Sequence, residues 1–223
     1  MEDEIFRQEE FKFPGQRSLT LWVPKNGISF APNRTTAAIA DNVPLHNGAI
    51  IASAGAGIGA LEILLAQRAE AEGLKLGHIY TTEIVRDQVE AAIKNMKLYN
   101  LQYKVTPLQG DILQPISRDK FIHPTIIIGD CSALTEVGIE LGWYPKEGIP
   151  MGGEDGTEIV TRFLRQASEY QCPTYFAIAL NFSDGKKILD VAKECFGKEA
   201  IRKIIRVQKP LFEDMMKIID STD

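Results

Sequence analysis

The sequence predicts an α/β fold: a doubly wound, mostly parallel sheet with helices on both faces, preceded by a β-hairpin and a short helix. Three observations carry this expectation. Short apolar runs alternate with stretches of helical periodicity. Three closely spaced glycines, Gly55, Gly57 and Gly59, stand where one apolar run gives way to a helix. Successive runs end on a carboxylate, at Glu83, Asp111 and Asp130.

Each element has its own signal. "RSLTLWVPKNGISFAP" places two runs around Asn26-Gly27, the dipeptide of a tight hairpin turn, and "NRTTAAIADNVP" reads as a short helix stopped by Pro44. Ala49 to Ser53 is an apolar strand, followed by Leu61, Leu64, Leu65 and Ala69 at helical spacing. "GHIYTTE" is a strand ending at Glu83, and Asp87 to Tyr99 is a helix with Val89, Ala92, Ile93 and Met96 on one face. "YKVTPLQGD" is a third strand of this series, ending near Asp111, and "PTIIIGD" a fourth, ending at Asp130. After a long glycine-rich stretch, Thr157 to Tyr170 is helical and "PTYFAIAL" is the fifth strand. Asp184 to Phe196 is helical, "AIRKIIRVQ" is a further strand, and "FEDMMKIIDSTD" fits helix or strand equally. Strand and helix alternating at such short intervals indicate βαβ units.

The chain has 223 residues, 44% hydrophobic and 25% charged, enough for one sizeable core with a small appendage. Residues 1–48 are expected to form a leading segment packed on a core of residues 49–223, as one structural unit. The formal net charge of −5 comes from scattered acids. That balance argues against broad nucleic-acid binding and for a small-molecule or peptide partner. Cys131, Cys172 and Cys195 are too widely spaced for a disulfide framework, and no metal-ligand spacing is present, so no metal is expected. His46, His78 and His123 read as structural. The acidic start "MEDEIFRQEEFKF" and the lack of any apolar run near the about 18 residues of a membrane span predict a cytoplasmic chain with no membrane anchor.

In an open parallel sheet, ligands sit outside the carboxyl ends of the strands. That is where "IIASAGAGIGALEILLA" places its glycines. Without a Cβ they permit a tight turn and close approach of backbone N–H groups to a ligand, beside a helix N-terminus that favours negative charge. Gly55, Gly57 and Ala60 fit the dinucleotide pattern GxGxxA, and Gly55, Gly57 and Gly59 fit the GxGxG of adenosylmethionine-binding folds. Glu83, ending the second strand, can accept from both ribose hydroxyls in either class; it also suits a helix N-terminus. Asp111, in "QGDIL", is suited to accept from an adenine amino group, with Ile84 and Ile112 placed to sandwich the ring. Three strand-end features in this order describe a nucleoside cradle.

At this point the chain resembles a known family. "IASAGAGIGALEILLA", "YTTEIVRDQVEAAIKNMKLYNL", "LQGDIL" and "GIPMGGEDGTEIVTRFLRQASEY" are similar to the class I S-adenosylmethionine-dependent methyltransferases, close to the release-factor glutamine methyltransferase branch. Several members of that branch carry a GGxDG segment where Gly152 to Gly156 stands. The hairpin and "FAPNRTTAAIA" also resemble the segment ahead of its glycine loop. The match spans roughly residues 19 to 182. It implies a Rossmann-like fold, S-adenosyl-L-methionine as cofactor and methyl transfer as activity. By the resemblance, Gly55, Ala56, Gly57 and Gly59 pass under the methionine part, with Ser53 just ahead of them. Glu83 holds the ribose, and Asp111 with Ile112 holds the adenine. Thr35 and Thr36 close over the cofactor.

The sequence departs from the family at two places. The acid two positions before the first glycine is replaced by Ser53. At the end of the fourth strand, where nitrogen-methylating relatives carry Asn-Pro-Pro-Tyr or Asp-Pro-Pro-Tyr, the sequence reads "GDCSAL". Asp130 then stands at the position that grips the acceptor, with Cys131 and Ser132 at the two prolines. A carboxylate suits a strongly donating nitrogen such as an amine or guanidinium, and becomes a general base if burial raises its pKa; Asp130 alternatively caps its own loop. In the long loop Thr135 to Gly156, Trp143, Tyr144 and Glu154 are expected to shape the acceptor pocket, although Glu154 equally suits a helix cap.

The expectation is therefore an S-adenosylmethionine-dependent N-methyltransferase acting on a small-molecule or peptide nitrogen, with Asp130 as its catalytic residue. Two alternatives stay open: a regulatory protein that binds the cofactor without transferring a methyl, and an NAD(P)-dependent oxidoreductase.

Overall fold

A computed structural model describes residues 5–25, 32–117, 122–132, 134–141, 150–170, 172, 174–177 and 183–200. Two antiparallel strands come first, β1 (Phe6–Phe13) and β2 (Arg17–Pro24), joined by a short 3-10 turn at Pro14–Gln16. The tight turn expected at Asn26-Gly27 lies outside the described residues. The hairpin that is described turns at Pro14-Gly15, with Gly15 at φ +77°. β2 thus takes its partner from the acidic N-terminal segment, where Phe11 stands opposite Leu19 and Glu9 opposite Leu21.

Helix α1 (Arg34–Asn42) begins at a capping box. The Asn33 side chain accepts from Thr35 N–H at 2.8 Å, and Thr36 Oγ1 accepts from Asn33 N–H at 3.3 Å, satisfying groups that a helix start otherwise leaves open. The core then alternates β3 (Ile50–Ala54), α2 (Ala60–Ala71), β4 (His78–Glu83), α3 (Arg86–Leu98), β5 (Val105–Gln109), the single turn α4 (Gln114–Ser117) and β6 (Ile126–Gly129). A short α5 (Glu136–Glu140) sits in the long loop, followed by α6 (Glu158–Ser168), β7 (Tyr175–Ala177) and α7 (Gly185–Phe196). Of the strand expected at 200–208 only Ala200 is described, in a 3-10 turn at Lys198–Ala200, and the last stretch falls outside the described residues.

The sheet runs β5-β4-β3-β6-β7 with every pairing parallel. Strand order reverses between β3 and β6, and at such a switch point neighbouring loops diverge and open a crevice. Pro107 is tolerated within β5 because that strand is an edge.

Period-two alternation assigns the two faces. Ile51, Ile79, Ile126 and Ile128 face a layer made of the hairpin, α1, α2 and α3. Ala52, Ala54 and Ile127 face α6 and α7 through Phe163, Leu164, Ile188 and Val191. The hairpin is fixed to α3 by polar groups as well as by packing. The fully buried Asn95 accepts from Trp22 N–H at 2.7 Å and donates to Trp22 O at 3.0 Å, standing in for a neighbouring strand. Its amide also donates to Ile58 O at 2.8 Å, which ties the hairpin to the glycine loop. Among the described residues no helix is long and apolar enough to cross a membrane.

Candidate functional site

A cleft of about 240 Å³ opens at the carboxyl ends of β3, β4, β5 and β6, where the topology places a crevice. Its floor is the turn after β3. Gly55 has φ +78°, and a Cβ there would stand 2.5 Å from the carbonyl oxygen of Asp130, so the turn can lie against β6 only without a side chain. Asp130 N–H in turn donates to Ala54 O at 2.9 Å. The glycine loop and Asp130 are therefore one rigid junction.

Glu83 is held at the mouth of β4 by two backbone donors. Gly57 N–H donates to Oε2 and Val85 N–H to Oε1, each at 2.9 Å. The carboxylate is thus locked between the glycine loop and the start of α3, with further acceptor capacity for ligand hydroxyls. Beside it Ile84 is 48% exposed, an apolar surface left open at the cleft edge. Asp111 and the buried Ile112 line the next stretch, and Arg162 of α6 forms an ion pair with Asp111. Thr35 and Thr36, from the first turn of α1, close one wall, and Asp130, Cys131 and Ser132 close another.

Three of the expected site residues sit elsewhere. Ser53 is fully buried and lines no part of the cleft, because alternation turns it, like Ile51, toward the α2 face. Gly59 also does not line it; at φ +86° it starts α2, and a Cβ there would meet Met96 at 2.6 Å, so this glycine serves helix packing. Glu154 lies on the loop before α6, outside the cleft. Trp143 and Tyr144, also expected at the site, lie outside the described residues.

The glycine-rich segment ahead of α6 has a structural role of its own. Gly152 N–H donates to Leu134 O at 2.9 Å, and Gly152 O accepts from Glu158 N–H at 2.7 Å. Asp155 accepts from Thr157 N–H at 3.0 Å and pairs with Lys187 of α7 at 2.7 Å. Those bonds hold the Asp155 carboxyl below its usual range. The segment therefore ties the loop after β6 to α6 and α7.

Two polar side chains were not singled out in the sequence. Gln88, nearly buried in the first turn of α3, lines the cleft near Gly57. Its position one turn beyond Glu83 is the only sequence signal for it. Glu62 is fully buried in the first turn of α2, where Oε1 accepts from Thr81 Oγ1 at 2.9 Å. Desolvation drives its pKa upward, so the neutral acid is favoured. Among the described residues its Oε2 and the adjoining Ser53 Oγ have no hydrogen-bond partner, and a proton on Oε2 would join them.

Cys131 is a poor nucleophile here: burial first, and then the neighbouring Asp130 charge, push its thiol far above the ordinary range. Taken together, the cleft offers a glycine turn, a backbone-locked carboxylate, an apolar ledge and a second carboxylate in sequence. This set fits a nucleoside bearing an amino-acid tail, and Asp130 lines the same cleft beside the glycine turn, its backbone packed against Gly55.

No family model matches the chain. Two curated relatives, release factor glutamine methyltransferases of Bacillus cereus and Bacillus anthracis, are each 29% identical over 154 residues. The match covers 66% of this chain and 51% of theirs, so the chain spans about half the length of the curated relatives it matches. The resemblance carried by the motifs is thus also found across the aligned sequence. Among solved structures, aTrm5 in complex with tRNALeu is similar at TM-score 0.41 and 23% identity, covering 55% of this chain and 32% of that one. A tRNA methyltransferase from M. jannaschii gives 0.41 and 22%, covering 66% and 41%. TrmK of M. capricolum with S-adenosylhomocysteine gives 0.38 and 19%, covering 52% and 47%.

One expectation is overturned by these neighbours. The small-molecule or peptide partner, with broad nucleic-acid binding disfavoured, rests on net charge, yet proteins that bind or methylate tRNA stand among the structures similar to this chain. Net charge is a sum over the chain, whereas nucleic-acid contact depends on local charge at a binding face.

Proposed function

We propose that this chain is an S-adenosylmethionine-dependent methyltransferase that transfers its methyl group to a nitrogen presented at Asp130. The observation that supports this best is the sharing of one cleft by the glycine turn, Glu83, Asp111 and Asp130. In this reading Glu83 accepts from ribose hydroxyls while Ile84 and Ile112 flank the base. Thr35 and Thr36 close over the cofactor, and the turn at Gly55 to Gly57 lies along its amino-acid tail.

The cofactor, when bound, supplies an electrophilic methyl group on a sulfonium. An acceptor nitrogen must offer its lone pair along the methyl axis and lose a proton as it is alkylated. Asp130 is placed for both tasks. Its carboxylate accepts the acceptor's N–H, which orients the lone pair, and it takes the proton that alkylation releases. Its backbone is pinned to Ala54 and packed on Gly55, so the side chain starts from a fixed base. No proline pair stiffens the chain beyond Asp130: Cys131 and Ser132 occupy those places and line the same wall.

The test is transfer of labelled methyl from S-adenosylmethionine into total tRNA and into total cell protein by the wild type and by Asp130→Ala. Transfer by the wild type that falls about a hundredfold or more in the variant, with cofactor affinity kept, supports the assignment. Equal transfer by both proteins removes Asp130 from it. Cofactor binding without transfer to any acceptor turns the reading toward a regulatory binding protein.

A further inference from the structure

The loop leaving β5 holds a conformation its own residues do not favour. Ile112 has φ +49°, in the left-handed region that a β-branched side chain avoids. Such a residue persists only where its surroundings over-determine it. They do so here from two sides. From β4, the Thr82 hydroxyl donates to the Ile112 carbonyl. From α6 come two side chains four residues apart, and so on one helix face. Arg162 donates to Asp111 Oδ2, and Gln166 Oε1 accepts from Leu113 N–H at 2.9 Å.

Neither Arg162 nor Gln166 lines the cleft, whereas Asp111 does. The Arg162 and Asp111 side chains are 40% and 31% exposed, so solvent screens the pair and it adds little to stability. Its consequence is directional. With Oδ2 engaged by the guanidinium, Oδ1 is the oxygen left to face a ligand as a hydrogen-bond acceptor.

We propose that Arg162 is a positioning residue which, acting through Asp111, makes the cleft selective for a purine bearing an amino group at ring position 6 over one bearing an oxo group there. This rests on the adenosylmethionine reading of the cleft. An amino group donates to a fixed carboxylate oxygen. An oxo group presents a second acceptor to it and is repelled, so discrimination arises from the unfavourable pairing as much as from the favourable one. Without the guanidinium, the Asp111 side chain can rotate away, and no carboxylate oxygen is held in a fixed place against the ring substituent. The discrimination then collapses.

The experiment is calorimetric titration of the wild type, Arg162→Met and Arg162→Lys with S-adenosylhomocysteine and S-inosylhomocysteine, which differ in that one ring substituent. The wild type is expected to prefer the adenosine compound by about tenfold or more, as for a hydrogen bond to a charged group. Arg162→Met should bring the preference to about twofold or less with the melting temperature little changed, and Arg162→Lys should restore most of it. Arg162→Gln, neutral but polar, repeats the test should the Met variant not fold. If the neutral variants keep the wild-type preference, the inference is wrong while the cofactor reading stands. If the wild type binds neither compound, the cofactor reading fails and takes the inference with it.

Discussion

Gly55 and Asp130 meet so closely that a Cβ on the glycine would stand 2.5 Å from the aspartate's carbonyl oxygen. The contact joins the turn after β3 to the end of β6 across the point where strand order reverses. In the proposed function it is what brings the cofactor's glycine turn and Asp130 into one frame. Gly55→Ala must therefore both strain a left-handed backbone and push the two strand ends apart. A loss of about 1 to 3 kcal/mol is expected in chemical denaturation, with cofactor affinity falling further than stability alone explains.

Glu83 is fixed by two backbone N–H donors, one from the glycine loop and one from the start of α3. In Glu83→Gln one of those donors would face an amide NH2, so the side chain must turn and the loop must shift. S-adenosylhomocysteine binding, measured by calorimetry, should weaken about tenfold or more while the circular dichroism spectrum is unchanged.

Asn95 carries the hairpin. Its removal leaves Trp22 N–H, Trp22 O and Ile58 O without their partner. Asn95→Ala should cost about 2 to 4 kcal/mol. Hydrogen exchange should rise over residues 17–24 and at the glycine loop together, since one side chain serves both.

Glu62 gives the protein a pH dependence of definite sign. Its folded-state pKa is raised by burial, so between its unfolded and folded values the native state binds more protons than the unfolded one. Stability then falls as pH rises through that window, beginning near the ordinary glutamate value of about 4.3. Glu62→Gln keeps an acceptor for Thr81 and offers an N–H toward Ser53, without a carboxyl to ionise. The variant should melt at a higher temperature than the wild type at about pH 8, and the difference should shrink toward about pH 4.

The parts of the molecule legible in the sequence were those whose signal is local. The strands β3, β4, β5 and β6 are short apolar runs ended by turn residues, and their observed bounds differ from the expected ones by a residue or two. Strand-end residues such as Glu83, Asp111 and Asp130 could be placed on one edge because parallel strands bring their carboxyl ends together. The parts lying between elements were not legible. β1 was missed because only Phe11 and Phe13 alternate visibly within a charged segment. Ser53 occupies a motif position, but strand alternation turns it with Ile51, two residues back, toward the α2 face. Gly59 shows the same limit in a turn, where a positive φ meets helix packing against Met96 and not a ligand. The Arg162–Asp111 pair joins residues 51 apart in sequence, and nothing local announces it.

The measurement that tests the central claim most directly is calorimetric titration of the wild-type chain with S-adenosylmethionine, S-adenosylhomocysteine and NADH, alongside Glu83→Gln. The account predicts binding of the first two at one site, no heat with NADH, and weaker binding in the variant. Binding of NADH alone, or of none of the three, would contradict it and leave the cleft as a shared fold without the shared chemistry.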